Sequence, residues 1–159
     1  MSAAAALALA ASGCDYFAQT RLQPGHHTEA DVRKLMGRPE MVWEDDRGVR
    51  VLEYPRAPEG TETYMVQIGA DGRLQSITQV LTEENFAKVR PGMSRDDVRR
   101  LLGKPSEIVR FELKREEVWA WKYVGQLGQP HFFDVHFDVG DSRVKSVNRT
   151  IDPKVFATS

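Results

Sequence analysis

One cysteine, Cys14, stands in 159 residues, so an internal disulfide is excluded and a cysteine-rich zinc cluster with it. Neither charge is in excess: 22 Lys and Arg oppose 23 Asp and Glu, for a net charge of −1. Such a balance exerts no general pull on nucleic acid, and no nucleic-acid partner is expected. No apolar run reaches the roughly 18–20 residues that a membrane-spanning helix requires. Also missing are a phosphate-cradling glycine loop, a nucleophile elbow and any paired-cysteine metal spacing. The residues therefore imply no cofactor and do not point to an enzyme.

What is present begins with a small apolar run, AAAALALAA from Ala3 to Ala11, followed by Ser12, Gly13, Cys14 and Asp15. An apolar stretch ending in small residues has the form of a secretory signal and its cleavage site. Ending at a cysteine, it resembles the lipobox of bacterial lipoproteins, with Ala11 where that motif usually has Leu. The resemblance implies a signal peptide over residues 1–13, cleavage before Cys14, and lipid attachment (diacylglycerol and a fatty acyl chain such as palmitate) at Cys14. The basic residues that open such a signal are expected upstream of Met1. Several acyl chains, at ~0.8 kcal/mol per buried methylene, would hold the protein firmly on a bilayer.

The body of the chain reads as one module written twice. Leu22–Pro39 is LQPGHHTEADVRKLMGRP, and Val89–Pro105 is VRPGMSRDDVRRLLGKP. With one extra histidine in the first copy, the two share Pro-Gly, a Ser or Thr, Asp-Val-Arg and Gly-x-Pro. Further on, Leu52–Tyr54 is matched to Trp121–Tyr123, YMVQIGADGRLQSI to FDVHFDVGDSRVKSV, and Phe86 to Phe156. A period of about 66–70 residues is too long for a solenoid repeat, so two modules are expected, over 14–80 and 81–159.

Each repeated signature has a local cause. Thr28 and Ser94 are N-cap residues, and Asp31 and Asp97 three positions later complete a capping-box pattern. Val32, Leu35 and Met36, like Val98, Leu101 and Leu102, fall at i, i+3 and i+4 on one helical stripe. Gly37 and Gly103 then allow a left-handed stop, and Pro39 and Pro105 forbid continuation. A helix of about nine residues is predicted in each module. Shorter leading helices are expected over Asp15–Arg21 and Leu81–Val89, the latter capped by Thr82.

Strand patterns follow each helix. Phe133, Val135, Phe137 and Val139 alternate with Asp134, His136 and Asp138, so one face is buried and the other wet. Trp119, Trp121 and Tyr123 alternate likewise and should point together into the core. Turns are expected at Asp46–Gly48, Gly69–Gly72 and Gly140–Ser142, and a loop at Pro55–Gly60. The fold class is α+β: two tandem modules, each of short helices followed by an antiparallel β-meander.

Candidate chemistry is sparse. Asp134, His136 and Asp138 place two carboxylates and an imidazole on one strand face, the residue types for a divalent metal or for acid/base work. Residues at i and i+2 of an exposed strand are more often simply its solvated side, and module one carries no matching set. His26 and His27 precede a helix cap with no third ligand nearby in sequence. Arg95, Arg99, Arg100 and Lys104 are expected on a solvated helix face, from which they could touch anionic phospholipid headgroups.

The segment PGMSRDDVRRLLGKP, followed by Trp121-Lys122-Tyr123 and Phe137-Asp138, resembles the SmpA/OmlA (BamE) domain of bacterial envelope lipoproteins. Gly92, Met93, Ser94, Asp97, Val98, Gly103 and Pro105 carry the match, whereas module one has His26-His27 in place of the Met. The resemblance implies a non-catalytic, periplasm-facing lipoprotein that supports outer-membrane protein assembly through contacts with β-barrel assembly subunits. The outer membrane is the expected location, although Asp15 after the cysteine is an inner-membrane retention signal in enterobacteria. A two-module chain also resembles the β-lactamase inhibitor protein architecture, which implies the alternative of a binding module docking on an envelope or secreted enzyme.

Overall fold

The computed structural model describes residues 21–156. The leader, Cys14 and nearly all of the helix expected at Asp15–Arg21 lie outside them.

Helix α1 (Glu29–Met36) is followed by strands β1 (Met41–Glu44), β2 (Arg50–Pro55), β3 (Thr63–Ile68) and β4 (Leu74–Gln79). Helices α2 (Glu83–Phe86) and α3 (Arg95–Leu102) then precede β5 (Glu107–Phe111), β6 (Glu116–Val124), β7 (Pro130–Asp138) and β8 (Val144–Ile151). The strands form two four-stranded antiparallel meanders, β1-β2-β3-β4 and β5-β6-β7-β8. This is the α+β, two-module architecture that the sequence predicts.

Both main helices are eight residues long and start as their sequences dictate. The Thr28 and Ser94 hydroxyls accept from the Asp31 and Asp97 amides, while those carboxylates accept from the cap amides in return. Two otherwise orphaned N–H groups are thereby satisfied at each start. Each helix ends on a glycine at positive φ, Gly37 at 82° and Gly103 at 78°. The helix expected over Leu81–Val89 is shorter, because α2 spans only Glu83–Phe86 under its Thr82 cap.

Hydrogen bonds in the two modules correspond closely. Gly25 N–H donates to Leu74 O and Gly92 N–H to Val144 O, both at 2.8 Å. Bridges join Thr28 to Arg73 and Ser94 to Arg143. Each sheet has its register shift at the same place, between Gln67 and Ile68 and between His136 and Phe137. The carbonyl of each terminal glycine takes a bond from an aromatic side chain: Tyr54 Oη to Gly37 O at 3.1 Å, Trp121 Nε1 to Gly103 O at 3.0 Å.

These pairings correct one register. Tyr54 occupies the place of Trp121, so Leu52–Tyr54 corresponds to Trp119–Trp121 and not to Trp121–Tyr123. Matching by the shared tyrosine placed this segment two residues off, a slip that keeps the same side chains on the inner face. The side chain of Phe156, matched to Phe86 in the sequence, lies outside those described.

The layers run α1, first sheet, α3 with α2, second sheet. Val32 and Met36 pack on Leu52, Tyr54, Val66 and Ile68 in one core. Val98, Leu102 and Phe86 pack on Trp121, Tyr123, Phe133, Val135 and Phe137 in the other. Phe86 stacks on Phe133 with ring centroids 4.3 Å apart. Met65 and Val80, with Trp43 and Val51 partly buried, belong to this second core, because the far face of the first sheet is covered by α3. In α1, by contrast, Leu35 is 38% exposed, so the stripe predicted to be buried is only partly covered.

Candidate functional site

The Asp134, His136 and Asp138 set lies on the outer face of β7, where the alternation of that strand put it. Its members do not converge. The Asp134 carboxylate accepts from Asn148 Nδ2 at 3.2 Å and Thr150 Oγ1 at 3.1 Å, and its desolvation raises its pKa above the ordinary value. His136 lies 2.6 Å from Asn148 Oδ1 through Nε2 and 3.3 Å from Glu116 Oε2 through Nδ1. Asp138 instead caps the β7–β8 turn, accepting from Gly140 N–H at 2.7 Å, and those amides hold its pKa down. Among the described residues, no three His, Cys, Asp or Glu side chains are grouped to hold a metal ion. His26 and His27 are occupied locally as well: Nδ1 of His27 accepts from Gln23 N–H at 2.9 Å.

The aromatic residues behave as the alternation of β6 requires. Trp121 and Tyr123 are buried and Trp119 is partly so, its ring 5.0 Å from that of Phe137. They form the core and offer no open stacking platform.

The basic residues of α3 depart from the expected solvated face. Glu53 of β2 is fully buried, and the Arg99 guanidinium closes on it with two bonds, both 3.1 Å. Lys104 N–H donates to the same carboxylate at 2.8 Å. Lys104 Nζ reaches Glu40 at 2.7 Å, and Arg95 Nε reaches Glu117 at 3.1 Å. Three of the four cations therefore pair with carboxylates, two of them across the module junction, and Arg100 stays exposed. Sequence reasoning missed this because the partner of Arg99 lies 46 residues away in the other module. A glutamate flanked by Leu52 and Tyr54 in a strand was the only available signal.

Gly103 makes this contact possible. A Cβ built there would sit 2.6 Å from Thr63 Cγ2, whereas one on Gly37 would meet nothing within 4 Å. Gly103 is thus both a helix stop and a place where the modules leave no room for a side chain.

The outer face of the second sheet has no covering layer among the described residues. At its centre Val118 and Ala120 are buried among neighbouring side chains, each only 9% exposed, whereas Phe111 on the edge strand is 44% exposed. At one end of this face a cavity of about 320 Å3 is lined by Phe132, Lys122, Asp152, Lys154, Pro58 and Glu59 among others. Its floor is an ion pair, Lys122 Nζ to Asp152 Oδ2 at 3.0 Å, with Asp152 almost fully buried. The Lys154 amide and the Lys122 ammonium hold the Asp152 pKa below its ordinary value.

Residues 78–138 match the family model of the outer membrane protein assembly factor BamE domain. The match runs from Thr78 in β4 through α2, α3, β5 and β6 to the end of β7. No curated protein matches the chain. Among solved structures, the chain is similar to an osmotically inducible lipoprotein, OsmE, at 25% identity, over 48% of this chain and 86% of that one, with a TM-score of 0.39. A DUF4309-family protein, YjgB, from Bacillus subtilis is 18% identical over 82% of both chains, with a TM-score of 0.31. A protein described as a β-lactamase inhibitor protein, from Streptococcus mutans, is 10% identical over 86% of this chain and 94% of that one, with a TM-score of 0.34. Over residues 78–138, then, the chain is similar to the BamE domain family.

Proposed function

We propose that this protein is a non-catalytic lipoprotein of the bacterial cell envelope that supports outer-membrane protein assembly, or envelope integrity, by binding other envelope proteins. The BamE match over residues 78–138 carries the reading. In it, modules over 14–80 and 81–159 form the binding body, Cys14 carries the lipid, and the body faces the periplasm from the outer membrane. No helix among the described residues is long and apolar enough to cross a membrane, so attachment through Cys14 is the route that the reading requires.

Crosslinking in intact cells, followed by purification from solubilised membranes, tests the partner. Recovery of β-barrel assembly subunits is the expected result. Recovery of a secreted or envelope hydrolase in their place would overturn the assembly role and favour inhibitor-like docking. Cys14→Ser is expected to remove the acyl mass from the protein and release it from the membrane fraction. An unmodified Cys14 in the wild type, with fractionation unchanged by the substitution, would refute the anchor. Density-gradient separation of the membranes tests the location against the retention signal at Asp15.

A further inference from the structure

The correspondence between modules shows what an outer sheet face of this kind accepts. In the first sheet that face receives α3: Leu101 lies with Trp43, Val51 and Met65, while Arg99 pairs with Glu53. In the second sheet no element among the described residues lies over the corresponding face, whose central Val118 and Ala120 are shielded only by their neighbours. Val109 and Val118 stand in the places of Trp43 and Val51, since each pair is joined across the first two strands of its sheet.

The charges on the two faces are related. A single row across the first sheet reads Met41, Glu53, Met65; the corresponding row of the second reads Glu107, Ala120, Asp134. The central carboxylate has been exchanged for alanine, and both flanking apolar residues have become acids. A cation arriving over Ala120 would meet carboxylates from either side. Ala120 also leaves room that Glu53 fills. Two of the basic groups at this face are already paired, Lys122 with Asp152 and Lys145 with Glu116.

The matching surface is on α1. Leu35 corresponds to Leu101 and is exposed, and Arg33 corresponds to Arg99 with its side chain 41% exposed. Lys34 and Arg38 are exposed beside them. Arg33 shares its partner, the largely buried Glu29, with Arg50, so that carboxylate keeps a counter-charge if Arg33 turns outward. We propose that α1 of a second copy of this chain docks on the outer face of the second sheet, with Leu35 over Val109 and Val118 and Arg33 between Glu107 and Asp134. The contact joins two different surfaces, so copies add head to tail.

Sedimentation velocity of the full chain, from micromolar to millimolar concentration, reads the association directly. The expected result is a weight-average sedimentation coefficient that rises with concentration and falls back at high salt. Arg33→Glu and Asp134→Lys should each weaken association by at least about tenfold, through like-charge contact. A mixture of the two variants should recover it, because the reversed charges then face one another. Leu35→Asp, at an exposed position, gives a second disruption, and circular dichroism checks that each variant is folded. A chain monomeric throughout overturns the proposal, leaving the face to a helix from a different protein. Association indifferent to all three substitutions, or a mixture no tighter than either variant alone, also overturns it.

Discussion

Replacing Glu53 by methionine removes a carboxylate that accepts three hydrogen bonds in a fully buried position. The Arg99 guanidinium, 20% exposed, is left without its counter-charge, and Lys104 N–H loses its acceptor. Removing one partner of a buried ion pair costs about 3–5 kcal/mol, because the remaining charge must stay desolvated or drag the interface open. For a chain of this size that lowers the melting temperature by about 6–20 °C. Arg99→Met should cost a similar amount, since it strands a buried carboxylate. The double variant fills the same space with apolar atoms, and its cost should fall at least about 2 kcal/mol below the sum of the single costs. Urea denaturation of the four proteins at neutral pH closes the cycle. Additive single effects, or a Glu53→Met cost under about 1 kcal/mol, would show that the pair does not clamp the modules together.

Three further outcomes follow from the geometry. Gly103→Ala should cost more than Gly37→Ala: both force alanine into a glycine conformation at about 1–3 kcal/mol, but only the first drives a methyl into Thr63. Comparative thermal melts decide this, and equal losses would refute the close approach. Ser94→Ala and Thr28→Ala should each lose about 1 kcal/mol in denaturant titration by abolishing a cap. Asp134→Asn should stabilise the fold at neutral pH. Burial raises the folded-state pKa of Asp134, so its ionisation opposes folding as pH rises through and above the ordinary value of 3.8. The advantage should vanish below that value, where the carboxyl is protonated in both states, and melts at the two pH values test it.

The local elements were legible because their causes are local. A Ser or Thr followed three residues later by Asp, an i, i+3, i+4 stripe and a terminal Gly-x-Pro specify where α1 and α3 start and stop. The β6 and β7 strands were equally plain from their period of two. Edge strands β1 and β5 were not, because MVWE and EIVRF lack alternation and are mostly exposed. The candidate set Asp134, His136 and Asp138 was correctly placed on one face. What each side chain does there depends on Asn148, Thr150 and Glu116 from neighbouring strands, which no spacing reveals.

By itself, then, the sequence determined the two capped helices, their repetition and the α+β class, since these rest on interactions a few residues long. Only the tertiary structure decided that α3 lies between the sheets. It turned the basic stripe of α3 into a junction closed on Glu53, and it left one sheet face with no covering element among the described residues. Those outcomes rest on contacts between residues 46 or more positions apart. Their energy comes from burial and charge pairing that exist only once the modules have met.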